Sequence, residues 1–213
     1  MENKTTQEST LHPDLVSFVV NIVKSFDLIP NDRKAKLEGI SQYITKKIAA
    51  QDPVKMVVIC THNARRSHLG QAWLQVAAQW YQVGSLIAYS GGTEATAFHP
   101  NAIQALREVG WKIEPQTNTQ NPVYEASYGA TSSLQMFSKA YDHEANPAGQ
   151  FAALMVCTQA DQGCPIVTGA EARFSIPYED PKAFDNTEFT AAKYAERSQE
   201  IAREMFYILS KVS

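Results

Sequence analysis

The chain has no apolar run long enough to cross a bilayer: its first hydrophobic stretch, Leu15 to Val23, is short and broken by Ser17 and Asn21. Met1 to Thr10 is polar and acidic, so neither a signal peptide nor a membrane partner is expected. An excess of one charge is also missing. With 19 Lys and Arg against 22 Asp and Glu the net charge is -3, which excludes a basic nucleic-acid footprint, so any anion site must be local. Three cysteines are too few, and odd in number, for a secreted disulfide framework; a reducing, cytoplasmic setting is expected. The five histidines lack metal-ligand spacing with those cysteines, and no internal repeat occurs. What is present, 213 residues with 44% hydrophobic content, suffices for one sizeable core plus an appendage.

Residues 1–52 read as an N-terminal helical hairpin. Pro13 to Phe26 sets Leu15, Phe18, Val19, Ile22, Val23 and Phe26 on one stripe, and Asp32 to Ala50 repeats the pattern with Leu37, Ile40, Ile44 and Ile48. No chemistry is visible in this hairpin, which reads as a packing or homodimerisation element. Residues 53–213 alternate strand-length apolar runs with helix-length segments, the pattern of an α/β domain with a parallel sheet. Strands are expected at Met56 to Ile59, Leu86 to Tyr89, Phe151 to Val156 and Arg173 to Pro177. Helices are expected at Ser67 to Gln82, His99 to Val109 and Glu188 to Leu209. Between Glu114 and Gln150 no period is sustained, and the segment reads as an insertion folding as a lid or a hairpin.

The informative segment is Val57-Val58-Ile59-Cys60-Thr61-His62-Asn63-Ala64-Arg65-Arg66-Ser67. A cysteine ends a buried strand, five residues follow, and arginine and serine open a helix. The spacing alone arises by chance in about one such chain in ten, so its position carries the weight. A short strand-to-helix loop gathers backbone N–H groups into a concavity faced by the positive end of the helix dipole. Arg66 adds a planar fork able to hold two oxygens of a tetrahedral anion. In that field Cys60 is favoured as a thiolate nucleophile. Ser67 can donate to the sulfur, Asn63 can fix the loop, and the backbone of Thr61, His62, Ala64 and Arg65 completes the expected oxyanion cradle. The side chains of Arg65 and His62 have no assigned catalytic part; Arg65 can widen the positive rim.

Loops after parallel strands gather on one sheet edge, where open α/β proteins bind ligands. Cys60, Cys157 and Asp180 fall there. An aspartic acid so placed can protonate a departing oxygen, although Asp180-Pro181 by itself is an ordinary turn signal. Cys157-Thr158-Gln159-Ala160-Asp161-Gln162-Gly163-Cys164-Pro165 opens another reaction class, since a reductase needs further thiols to supply two electrons. A helical path between Cys157 and Cys164 would hold them about 10 Å apart, beyond disulfide reach without local unwinding.

The nucleophile segment resembles the low-molecular-weight protein tyrosine phosphatase superfamily, and within it the thioredoxin-coupled arsenate reductases. Tyr89-Ser90-Gly91-Gly92, His99-Pro100-Asn101-Ala102-Ile103, Cys157 through Pro165 and Glu179-Asp180-Pro181 share the likeness. It runs from about Lys55 to Lys211 and leaves the hairpin and the insertion outside. It implies a four-stranded parallel sheet and a triple-cysteine relay without a bound cofactor. Cys60 attacks arsenate, Asp180 protonates the leaving oxygen, Cys157 attacks Cys60, and Cys164 attacks Cys157 to leave a disulfide that thioredoxin reduces. Two positions depart from the pattern: His62 replaces a glycine, and Arg65 stands where a cysteine or small residue is usual. A phosphomonoesterase using Cys60 and Asp180 alone is the alternative, and a non-catalytic anion-binding module is a third reading.

Overall fold

Strand β1, Val54–Cys60, contains the run Met56-Val57-Val58-Ile59, and every residue except Lys55 is buried. Such two-sided burial suits the middle of a parallel sheet covered by helices. The computed structural model describes residues 10–163 and 166–212. In it β1 pairs in parallel with β2, Leu86–Gly92, on one side and with β6, Phe151–Met155, on the other. Strand β7, Ala170–Ser175, adds to β6 and completes the order β2-β1-β6-β7. This is the expected four-stranded parallel sheet. The chain leaves β1 towards β2 and leaves β6 towards β7, so the connections diverge between β1 and β6. That divergence opens a crevice at their carboxyl ends.

All four strands differ in extent from the sequence reading: β1 runs beyond Met56 and Ile59 to Val54 and Cys60, and β6 stops at Met155, one residue short. β7 begins at Ala170, ahead of the expected Arg173, because Ala170-Glu171-Ala172 pairs with β6 without any apolar run to announce it. β2 runs past the expected end at Tyr89 through Gly91 and Gly92. A Cβ on Gly92 would lie 2.6 Å from the Thr61 carbonyl oxygen and 2.7 Å from the Asn63 nitrogen. Glycine is therefore required where β2 passes beneath the nucleophile loop.

Helix α3, Arg66–Trp80, packs on β1 and β2 and against the closing helix α6, Thr190–Ser210, where Trp73 Nε1 donates to Ser198 Oγ at 2.9 Å. Helices α1, Pro13–Val23, and α2, Asn31–Ala49, pack on α6, and their buried Leu15, Val19, Ile22, Leu37, Ile40 and Ile44 join the same core as the sheet. From α2, Arg33 reaches Glu204 with two hydrogen bonds of 2.8 Å, and its guanidinium lies 5.0 Å from the centre of the Tyr178 ring. Helix α4, Pro100–Arg107, is capped by the His99 side chain, which accepts from Asn101 N.

The insertion forms its own antiparallel sheet. Strands β4, Tyr124–Gly129, and β5, Ser132–Met136, make the hairpin, and β3, Lys112–Pro115, pairs with β4 from before the expected start. The turn end of the central strand β4 meets the N-terminal segment through a bridge between Leu11 and Gly129. Among the described residues no helix is long and apolar enough to cross a membrane.

Candidate oxyanion site

The loop between β1 and α3 is held from outside by its carbonyl groups. Thr93 N donates to Cys60 O at 3.2 Å and Glu94 N to Thr61 O at 2.8 Å. His62 O accepts from Thr96 Oγ1 and Ser138 Oγ, and Ala64 O accepts from His99 N. In a trans peptide the next N–H points away from the carbonyl, so pulling these oxygens outward turns the amides of residues 61, 62, 63 and 65 inward. The amides of residues 61–65 donate to no acceptor among the described residues. Inward, unpaired N–H groups are what the expected anion cradle calls for.

Asn63, fully buried and in the left-handed region at φ 44°, ties this loop together. Its Oδ1 accepts from Lys139 N at 2.8 Å and its Nδ2 donates to Ser67 Oγ at 2.8 Å. Ser67 Oγ in turn lies 3.0 Å from Cys60 Sγ. Once the sulfur is ionised, only the hydroxyl can donate between them, so Asn63 orients the group that steadies a thiolate.

Arg66 is buried at the start of α3. Nη1 donates to Tyr178 O at 2.9 Å, Nη2 pairs with Asp180 Oδ2 at 2.5 Å, and Nε has no partner among the described residues. Asp180 also caps the 3-10 turn Pro181–Phe184 through Lys182 N. The arginine and the aspartate expected to act on one anion therefore engage each other, and an entering oxyanion must compete with Asp180 for the guanidinium. Arg65 takes a different direction from the expected rim: Nε donates to Tyr194 OH at 2.6 Å and Nη2 to Asp185 Oδ2 at 2.7 Å. His62 is half-buried, and what ties it into the loop is its carbonyl.

Cys157 follows β6 and precedes helix α5, Thr158–Gly163. Its buried sulfur lies 3.3 Å from Thr61 Oγ1, on the residue after Cys60, and accepts from Ala160 N at 3.3 Å. Asp161 fastens this turn to β7 by pairing with Arg173 and accepting from Ser175 Oγ. Cys60 and Cys157 are both free thiols. Cys164 lies outside the described residues. Among those described, no group of three or more His, Cys, Asp or Glu side chains is placed to hold a metal ion.

No family model matches the sequence. Over 142 residues it is 27% identical to arsenate reductase 2 of Staphylococcus epidermidis, an alignment covering 65% of this chain and 86% of that protein. Over 131 residues it is 27% identical to an arsenate reductase of Bacillus cereus, covering 62% and 79%. Among solved structures, a low-molecular-weight phosphotyrosine phosphatase from Vibrio cholerae matches with a TM-score of 0.51 at 11% identity, covering 74% of this chain and 95% of that one. The low-molecular-weight protein tyrosine phosphatase of T. tengcongensis matches at 0.50 and 15% identity, over 74% and 99%. The chain has the fold of the low-molecular-weight phosphatases and is similar in sequence to proteins named arsenate reductase.

The parts that sequence reasoning missed are informative. The segment after β5, assigned to a separable insertion, supplies Ser138 and Lys139 to the loop, and Lys139 O accepts from Gly92 N at 2.9 Å. Asn146 donates to the carbonyls of Ser90, Ala140 and Tyr141, which holds this brace against β2. No periodicity marks these residues, because their work is done by single hydrogen bonds rather than by a buried face. Behind the loop, His68 stacks on Phe98 with ring centroids 4.1 Å apart. Complete burial, with Lys139 nearby, lowers His68 to about 3, and the Phe137 and Ala64 carbonyls close by only partly oppose this; neither ring nitrogen makes a full hydrogen bond.

Proposed function

We propose that this enzyme reduces arsenate to arsenite through a Cys60, Cys157 and Cys164 relay. The observation that carries the reading is the free Cys157 sulfur lying against Thr61, beside a nucleophile loop whose amides face inward unpaired. The arsenate reductase names of the sequence relatives support it. The loop amides and Arg66 bind the tetrahedral anion, and Arg66 gives up Asp180 to do so. The Cys60 thiolate attacks arsenic, and the leaving oxygen departs as water with the proton carried by Asp180. Cys157 thiolate then attacks the Cys60 sulfur; the arsenic–sulfur electron pair stays on arsenic, which leaves as arsenite. Cys164 attacks Cys157, returning Cys60 as a thiolate and storing the two electrons' oxidation in a Cys157–Cys164 disulfide. An external dithiol protein of the thioredoxin class restores the pair, in keeping with a cytoplasmic site of action.

A second reading, hydrolysis of phosphomonoesters through a Cys60 phosphocysteine, is favoured by a specific observation. Cys157 Sγ is paired with Thr61 Oγ1, and the loop with Asp180 holds the groups a hydrolase uses without calling on that sulfur. Incubation with arsenate followed by mapping of linked cysteines separates the two. A Cys157–Cys164 bond is the expected product, and recovery of three free thiols alongside rapid aryl phosphate hydrolysis would establish the hydrolase instead.

A further inference from the structure

We propose that Arg65 is the positioning residue of the Asp180 segment: by holding Asp185 it keeps Asp180 in place while Arg66 exchanges that carboxylate for the oxyanion. This rests on the reading of Cys60, Arg66 and Asp180 given above and adds a function for the arginine beside them.

Adjacent arginines of one loop grip the two ends of one short segment. Arg66 holds Asp180 at 2.5 Å and Arg65 holds Asp185 at 2.7 Å, with only the turn Pro181–Phe184 between them. The two grips differ in what can displace them. The Arg66 guanidinium is the one an oxyanion needs, so substrate entry removes the very contact that fixes Asp180. The Arg65 guanidinium is taken up by Tyr194 and Asp185, and the oxyanion reading does not call on it. Its partner is pinned from several elements: Asp185 Oδ1 accepts from Tyr194 OH at 2.6 Å on α6 and from Asn101 Nδ2 at 3.2 Å on α4, and His99 Nε2 stands 3.7 Å from Oδ2. The pair is shielded, with side-chain exposures of 11% and 19%, so it is screened less than a surface ion pair. Burial pushes the Asp185 carboxyl up, but Tyr194 and Arg65 overcome this and hold it below the usual carboxylate range. Asp185 therefore stays charged and engaged throughout turnover. None of these side chains is hydrogen-bonded to the sulfur, so the Arg65 side chain bears on the chemistry through where Asp180 stands.

The test compares aryl phosphates whose leaving groups need protonation to different degrees. In Arg65→Met and Asp185→Asn, turnover of phenyl phosphate is expected to fall roughly thirtyfold, against about threefold for 2,4-dinitrophenyl phosphate, since a displaced acid costs most where the leaving oxygen is basic. Arg65→Lys restores part of the loss, because an ammonium reaches Asp185 but cannot also serve Tyr194 in a fixed fork. Equal losses on both substrates, or a change confined to KM, would overturn the proposal. Hydrogen exchange of the amides in residues 179–187 gives a readout independent of turnover. Adding inorganic phosphate should leave wild-type exchange unchanged and accelerate it about tenfold in Arg65→Met; no acceleration counts against the clamp. If phosphate and arsenate fail to shield wild-type Cys60 from alkylation, the functional reading above is what falls. The clamp is then decided by exchange in the Arg65→Met, Arg66→Met double variant, which must exceed the sum of the single variants; additive rates refute it.

Discussion

Cys60 and Cys157 stand at the carboxyl ends of neighbouring parallel strands, each just ahead of a helix, yet their surroundings differ. Around Cys60 the carbonyls are drawn outward by Thr93, Glu94, Thr96 and Ser138, the amides turn inward, and Ser67 aims its hydroxyl at the sulfur. Cys157 receives one amide, from Ala160, and one hydroxyl contact, from Thr61. Strand-end position is thus shared, and the convergence of donors is not. Convergence requires braces from other parts of the chain, and Cys60 has them from β2, from the segment after β5 and from α3. The arrangement fits a nucleophile at Cys60 and a thiol held in waiting at Cys157.

Substitution of the two sulfurs should break the comparison most sharply. Cys60→Ser is expected to lower turnover of both arsenate and aryl phosphate by about four orders of magnitude. Cys157→Ser should abolish arsenate reduction equally while leaving aryl phosphate turnover within roughly threefold, because a hydrolase needs no second thiol. Loss of both activities in Cys157→Ser would make the two positions equivalent and sink the distinction.

Acid unfolding probes the packing behind the Cys60 loop. His68 has its folded value depressed to about 3 by burial, below its ordinary value of 6.5. Between those values the unfolded chain binds the extra proton, so this contribution is complete above pH 6.5 and lost as pH falls towards 3. Across that window the folding constant should drop by roughly three orders of magnitude through this residue, and His68→Leu should flatten the slope in denaturant titrations. An unchanged slope would mean that His68 is not held neutral.

Smaller effects sharpen the contrast at each sulfur. Ser67→Ala should slow alkylation of Cys60 at neutral pH about tenfold, the scale of a hydrogen bond to a charged atom, with Cys157 unaffected. Thr61→Val should change alkylation of Cys157 by only about threefold and leave Cys60 as it was. Reversal of these sensitivities would show that the donors had been assigned to the wrong thiol.

The helical pair at the N-terminus was legible as helices but not in its connections. Its apolar stripes name Leu15, Val19, Ile22, Leu37, Ile40 and Ile44, all buried against the body. Nothing in a stripe discloses Arg33, which meets Glu204 and Tyr178 and so supports the strand end whose carbonyl Arg66 uses. Polar residues of this kind are set by partners far along the chain, 171 positions away for Arg33 and Glu204. The antiparallel sheet of the insertion was legible only as a possible hairpin, because its strands are partly exposed and carry Ser, Gln and Glu on one side.

What the sequence determined by itself was the path of the chain through Cys60. A β-branched run fixes a buried strand, and five residues then lead to an arginine at a helix start, because backbone periodicity and chain reach are local properties. The same locality placed Cys157 and Asp180 at the strand ends. Only the tertiary structure decided that Arg65 turns to Asp185 and Arg66 to Asp180, and that Lys139 supplies the backbone N–H which fixes Asn63. Neighbours in sequence with the same side chain can meet different carboxylates, and which one each meets depends on segments folded back from more than a hundred residues away.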